Sequence, residues 1–436
     1  MTGTIFALSS GLPPAAIAVL RISGVDAGAA LERLAGALPP PRHARLATLR
    51  DPLSAAELDC ALILWFPGPA SATGEDLAEI HAHGGRAVVR AIEDALAAMP
   101  GLRCAEPGEF TRRALTNGRI DLAEAEGLAD LLEAETEGQR RQALALAGGA
   151  LSRTVAAWQE RLLGVSARIE AMLDFADEDD VVTDYAELSH IINILGDITG
   201  EWHAWLARPS AERLRDGITV AIAGPPNAGK STLLNALSER EAAITSPQAG
   251  TTRDIIEVAL AISGVPFRIA DTAGLHAGTG DAIEAEGMAR AARWIAEADL
   301  LLWLGPVGDL PDHSMSCCIA SQADVLAGTA AWQARVEHSD IALSAKTGEG
   351  MDALRSWLLE QAVLLLPHEG EVAINRRHHA ALSEASASLS MAITSTDPLL
   401  IAEGLRGARL AINRITGQAG TEDMLDALFG RFCIGK

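Results

Sequence analysis

The chain has 436 residues, 49% apolar and 21% charged, a globular composition that excludes general disorder and suits two to four domains of ~100–200 residues. Thirty-five Lys and Arg against 58 Asp and Glu leave a net charge of −23. That excludes a broadly basic nucleic-acid coat, because neutralising phosphates needs cations, and leaves a local basic patch or a partner that does the holding. No apolar run approaches the ~18 residues of a membrane span, and no basic residue precedes the first apolar stretch, so no signal peptide is expected. The five cysteines (Cys60, Cys104, Cys317, Cys318, Cys433) are scattered without metal-ligand spacing, as suits a soluble cytoplasmic protein. Vicinal Cys317 and Cys318 sit in an apolar stretch and are expected as buried thiols.

Along the chain, residues 1–117 alternate short apolar runs (Ile17–Ile22, Ala61–Phe66) with Gly, Pro and the helical stretch Ala87–Ala98, which predicts a mixed α/β domain. Residues 118–216 turn long, amphipathic and helical, most clearly over Val155–Leu173. Within them, the acidic run Asp177–Asp180 reads as a solvated helix end. Strands and helices alternate again over 217–361, and 362–436 return to helix, with Thr421, Glu422 and Asp423 as a helix start. The pattern predicts α/β plus all-α architecture, with a discontinuous helical domain and an α/β domain inserted into it.

Ile218–Ala223 reads as a short buried strand. Gly224-Pro-Pro-Asn227-Ala228-Gly229-Lys230-Ser231 follows, and a helical pattern starts at Thr232. This is G-x-x-x-x-G-K-[ST] in its strand–loop–helix setting, where backbone N–H groups cradle phosphates. Lys230 should reach the β- and γ-phosphates, and the Ser231 hydroxyl should ligate Mg²⁺. Downstream, Thr252 in the polar loop Gly250-Thr251-Thr252-Arg253 can offer a second hydroxyl to Mg²⁺. Strands Ile255–Ile262 and Val265–Ala270 around Ser263-Gly264 form a hairpin pattern. It ends at Asp271-Thr272-Ala273-Gly274, where Asp271 can hold the metal through water and the Gly274 N–H can meet the γ-phosphate. Ser344-Ala345-Lys346 resembles the loop that lines a guanine base. Together these predict a Ras-like P-loop GTPase domain that binds GTP.

The base-reading element departs from the usual N-K-x-D. Ser321-Gln322-Ala323-Asp324 keeps the Asp that takes two hydrogen bonds from guanine and replaces the Asn and Lys, which should loosen packing against the base. Leu275 follows Gly274 and cannot orient water. Glu284 is the candidate general base acting through water, its alternative reading being a surface Glu at a helix start. His81 and His83 share a strand face without an evident third metal ligand.

The whole set resembles the MnmE (TrmE) family of bacterial tRNA-modification GTPases, from Thr4-Ile5 to the terminal Cys433-Ile434-Gly435-Lys436. Leu20-Arg21-Ile-Ser-Gly24, Thr73-Gly-Glu-Asp76, His83-Gly-Gly85, Pro107-Gly-Glu-Phe110 and the stretch Asn117 to Glu126 also match. The resemblance implies a homodimer that works with an FAD-containing, MnmG-type partner as a heterotetramer on C5 of the wobble uridine (U34) of certain tRNAs, installing a carboxymethylaminomethyl-type group. Its N-terminal domain would dimerise and bind 5,10-methylene- or 5-formyl-tetrahydrofolate through Arg21, Glu79, Arg119 and Lys436. A K⁺ ion would be held by Asn227 and the loop Ser246-Pro247-Gln248-Ala249-Gly250-Thr251, with Ser246, Gln248 and Thr251 at the ligand positions. Glu284 falls where the family's catalytic Glu lies. Cys433 is read either as a nucleophile or redox group near the folate or as a packing thiol. The acidic balance implies weak, salt-sensitive tRNA binding that needs partner help. The alternative class is a regulatory switch in ribosome assembly or signalling, which would have no use for the N-terminal and terminal residues.

Overall fold

The computed structural model describes residues 3–174, 185–243, 256–272, 289, 291–368, 370–417, 425, 428–430, 432 and 434–435. The chain forms two compact units, one of residues 1–129, 146–170 and 405–436, the other of 130–145 and 171–404. Segment 1–117 lies wholly in the first and segment 217–361 wholly in the second, while the helical stretches divide between them.

The first unit is built on strands β1 (Thr4–Leu8), β2 (Ile17–Ser23), β3 (Arg45–Arg50), β4 (Glu57–Phe66), β5 (Leu77–His83) and β6 (Leu102–Cys104). Their order is β3-β4-β5-β2-β1-β6, antiparallel except for the β1–β6 pair. Period-two alternation sorts the side chains. Leu20, Ile22, Ile63 and Ile80 are fully buried and pack with Leu31 and Leu34 of α1 (Ala27–Ala35) and Ile92 and Leu96 of α2 (Arg86–Ala97). Arg21, Glu79 and His81 occupy the alternate positions and so the opposite face. Helix α3 (Glu109–Thr116) follows β6.

The far end of the chain completes this unit. Phe429 and Phe432 are buried with Ala129, their ring centroids 6.1 Å apart, and Ile434 forms an antiparallel bridge with Pro107. The Ser9 hydroxyl donates to the Gly435 carbonyl at 2.7 Å. Gly435 has φ +99°, and a Cβ there would lie 2.1 Å from the Leu8 carbonyl oxygen, so no side chain fits.

Further helices are α4 (Leu122–Glu133), α5 (Glu137–Ala147), α6 (Ala150–Asp174), α7 (Tyr185–Leu206) and α8 (Ala211–Asp216). In the second unit α7 packs along the helix Arg376–Ile393, with Trp202 fully buried and Ser386 hydrogen-bonded to His203 at 3.0 Å. The seven-stranded sheet comprises β7 (Ile218–Ala223), β8 (Ala242–Ala243), β9 (Ile256–Ile262), β10 (Val265–Asp271), β11 (Leu300–Trp303), β12 (Ser316–Ala320) and β13 (Ile341–Ala342). Its order is β13-β12-β11-β7-β10-β9-β8, parallel except at the β8–β9–β10 edge. Central β7 is almost wholly buried, as a strand covered on both faces must be. Ser263 and Gly264, at φ +50° and +83°, make the predicted hairpin turn. Cys317 and Cys318 are buried as expected, and burial pushes the Cys317 thiol up to about 12. The expected helix start at 421–423 and the acidic run 177–180 lie outside the described residues.

Candidate functional site

Strand β7 delivers the chain into the loop 224–229, and α9 (Lys230–Arg240) begins directly after it. The turn needs left-handed backbone at Asn227 and Gly229, at φ +63° and +93°. Lys230 is 6% exposed, and its ammonium donates to the carbonyls of Gly224 and Pro225 at 2.8 and 2.9 Å. Burial lowers its pKa, with the Asp271 charge opposing. The Ser231 hydroxyl donates to the Asp271 carboxylate, and the neighbouring Thr272 hydroxyl donates to the Ile222 carbonyl at 2.9 Å. Asp271 ends β10 in register with Ile222 of β7, which puts its acid beside the loop. Two hard oxygen donors in contact, one charged, suit a small divalent cation such as Mg²⁺. Ala228 is buried within the loop, while Thr232 is exposed on α9.

The base side is joined to this cradle. The Ser321 hydroxyl donates to the Ala228 carbonyl at 2.6 Å, and the Gln322 amide donates to the Asn227 carbonyl at 2.8 Å. Asp324 accepts from the Ser344 hydroxyl at 2.7 Å, and the Ala323 N–H donates to the Leu343 carbonyl at 3.2 Å. Ala345 is half-buried and Lys346 exposed beyond Ser344. The structure therefore brings together Asn227, Ala228, Lys230, Ser231, Asp271, Ser321, Asp324 and Ser344. Replacement of the Asn and Lys leaves hydrogen bonds to the P-loop in place. Glu284, Ala273, Gly274 and residues 246–252 (Ser246, Pro247, Gln248, Ala249, Gly250, Thr251, Thr252) lie outside the described residues, as do Cys433 and Lys436.

On the second face of the first sheet, Arg21 and Glu79 are cross-strand partners, with Nε to Oε1 at 2.9 Å. His81 Nε2 lies 3.2 Å from the other oxygen of Glu79. His83 pairs separately with Asp59 at 2.7 Å, and among the described residues no cluster of three metal-ligating groups occurs. Arg119 is exposed, with its N–H bonded to the Ala114 carbonyl at 2.8 Å. Among the described residues no ion pair joins it to Glu79. Its stem lies over Gly74, where a Cβ would come within 3.1 Å of the Arg119 Cγ.

Sequence reading missed a buried ionic network beside this face. Arg113, 2% exposed, donates to Glu75 at 2.9 Å, to Glu109 at 3.0 Å and to the Gly3 carbonyl at 3.0 Å. Ser23 joins Thr73 at 2.7 Å and Glu75 at 2.8 Å, and Arg103 pairs with Glu109. Thr73-Gly-Glu-Asp76 and Pro107-Gly-Glu-Phe110 carried the signal, but nothing local shows that these charges face one another.

A mostly parallel sheet with a lysine-bearing phosphate loop, a Ser–Asp pair and an Asp held by a second loop defines a Ras-like P-loop domain. The model for the MnmE helical domain matches residues 122–433, and that for the GTP-binding protein TrmE N-terminus matches residues 4–119. The chain belongs to the MnmE (TrmE) family. It is 58% identical over 420 residues to the tRNA modification GTPase MnmE of Sphingopyxis alaskensis, covering 96% of this chain and 100% of the relative. The Erythrobacter litoralis protein of the same name is 58% identical over 433 residues (99% and 100%), and that of Zymomonas mobilis is 50% identical over 439 (99% and 100%). Among solved structures, the G domain of the T. maritima FeoB iron transporter covers 33% of this chain and 98% of its own length at 23% identity. Its TM-score of 0.25 is too low to add anything.

Proposed function

We propose that the chain is a GTP-hydrolysing tRNA modification enzyme. The observation that carries this is the Lys230, Ser231 and Asp271 cluster tied through residues 321–324 to a base-reading Asp324, in a chain of this family. Lys230, desolvated and hydrogen-bonded to two carbonyls, would exchange those oxygens for the β- and γ-phosphates. Asp324, held by Ser344, would accept two hydrogen bonds from the guanine edge. Ser231, with Asp271 through water and Thr252, would hold Mg²⁺, which neutralises phosphate charge when bound. Asn227 with the loop 246–251 would hold K⁺, and Glu284 would direct the attacking water.

In the first unit, Arg21, Glu79, Arg119 and Lys436 would hold a tetrahydrofolate one-carbon donor. The docking of Ile434 and Gly435 at the β1 end, where the Ser9 N–H bonds to the Val19 carbonyl at 2.7 Å, supports a shared site with Arg21 two residues along β2. The enzyme would act as a cytoplasmic homodimer with an MnmG-type FAD protein on the tRNA wobble uridine. No described helix is long and apolar enough to cross a membrane.

Steady-state GTP hydrolysis in KCl and in NaCl at matched ionic strength, with ATP as control, tests the nucleotide half. Strong K⁺ stimulation with little ATP turnover is expected. Equal rates in both salts remove the K⁺ assignment, and equal ATP turnover removes guanine selection by Asp324. For the tRNA half, nucleoside mass spectrometry of tRNA from cells lacking the protein should show loss of the wobble-uridine modification, restored by the wild-type chain and not by Lys230→Ala.

A further inference from the structure

We infer that Gln322 is a positioning residue that fixes the P-loop at Asn227, making Ser321 and Gln322 a neutral clip between phosphate cradle and base pocket. This rests on the reading that the site takes a guanine nucleotide. Two successive residues, Ser321 and Gln322, bind two successive P-loop carbonyls, those of Ala228 and Asn227, at 2.6 and 2.8 Å. Gln322 and Asn227 both hold left-handed backbone, at φ +68° and +63°, a conformation that non-glycine residues keep only when their surroundings impose it. Gly229 is close by, since a Cβ on it would sit 3.7 Å from the Gln322 amide nitrogen. A cavity of ≈ 550 Å³ lined by Pro226, Asn227, Gly305, Gln322 and His338 opens beside the bond. The Asn227 turn thus has open space on that side in place of packed side chains, and the amide supplies the hold that packing does not.

The chemistry separates two tasks. A lysine here would place a cation beside base and phosphates; an amide gives one directional hydrogen bond and no charge. Base choice then rests on Asp324 and its Ser344 partner, while Gln322 sets how firmly the cradle keeps its shape.

The test uses the full chain, with the release rate of N-methylanthraniloyl-GDP measured by stopped flow, and GTP against ITP competition as the measure of base choice. Gln322→Ala should speed release about three- to tenfold, the effect of losing one hydrogen bond, with GTP/ITP preference unchanged. Gln322→Glu, almost the same shape but with an acceptor facing the Asn227 carbonyl, should release faster still, and Gln322→Lys, which keeps a donor and adds a cation, should release no faster than wild type. Release within twofold of wild type in both Gln322→Ala and Gln322→Glu overturns the inference. So does a fall in GTP/ITP preference in step with release, which would make Gln322 a base reader. A melting temperature of the nucleotide-free protein equal to wild type separates positioning from misfolding, and Gln322→Glu with Gln322→Lys carry the test if the alanine variant does not fold. Failure of the wild-type chain to bind guanine nucleotide would instead defeat the underlying reading, and shows before any variant is made.

Discussion

Two buried cations, one in each unit, show opposite solutions to the same electrostatic problem. Arg113 is met by the carboxylates of Glu75 and Glu109 and by the Gly3 carbonyl. Lys230 is also buried and directs its hydrogen bonds to two carbonyl oxygens. A desolvated charge matched by opposite charge belongs to the architecture. One hydrogen-bonded to dipoles, with the Asp271 charge nearby but not bonded to it, is held ready for an anion that arrives later, and its burial is a standing cost to the folded state.

The comparison breaks first at Arg113. Arg113→Met takes the arginine from half-buried Glu75 and leaves buried Glu109 with Arg103 alone, and should cost about 3 kcal/mol, seen as loss of hydrogen-exchange protection in β1 and β2 under urea. Guanine nucleotide binding by the second unit should persist. Lys230→Ala should lower GTP turnover about 10²–10³-fold while the melting temperature of the nucleotide-free chain stays level or rises. If Lys230→Ala destabilised the chain as much as Arg113→Met, the two cations would not differ in kind. Asp324→Ala should weaken GTP binding about 10–100-fold, the loss of a charge-assisted contact, without the ionic penalty seen at Arg113.

Acid sharpens the contrast. Burial alone would raise the Glu109 carboxyl, but hydrogen bonds from Arg103, the Glu106 amide and Arg113 outweigh it and hold its pKa below the usual value. Its contribution is therefore full above the unfolded carboxyl value of about 4.3 and is lost as pH falls through the lower folded value. Acid titration followed by hydrogen exchange should show α3 weakening in that window, and Glu109→Gln should flatten the dependence. The smallest effect is at the thiols. Exposed Cys60 and Cys104 should alkylate in the native chain, with Cys104 slowed by the rise that burial imposes on its pKa. Cys317 and Cys318 should stay unmodified until the second unit unfolds, as read by peptide mass spectrometry.

The second unit was the more legible in sequence, because its chemistry is local. Ile218–Ala223 is the strand the apolar run predicts, the Ser263-Gly264 turn follows from its residues, and Lys230 and Ser231 sit in one contiguous motif. The Gln322 contact was not legible, since the sequence shows a missing lysine but not that the shorter amide reaches the Asn227 carbonyl. The Arg113 network was hidden for a related reason. Ser23, Glu75, Glu109 and Arg113 each look like surface residues in their own neighbourhoods, and only the approach of β2, the turn before β5 and α3 brings them together.

The bridge between Pro107 and Ile434, with Gly435 pressed against Leu8, also sets an order in time. On the ribosome the six strands of the first unit emerge long before the segment that covers their β1 end. The whole nucleotide-binding domain is translated in the interval. The two units therefore finish in reverse order of starting: the first to begin folding is the last to close, and its contact sites at Ser9, Pro107 and Ala129 stay uncovered until residues 429–435 arrive.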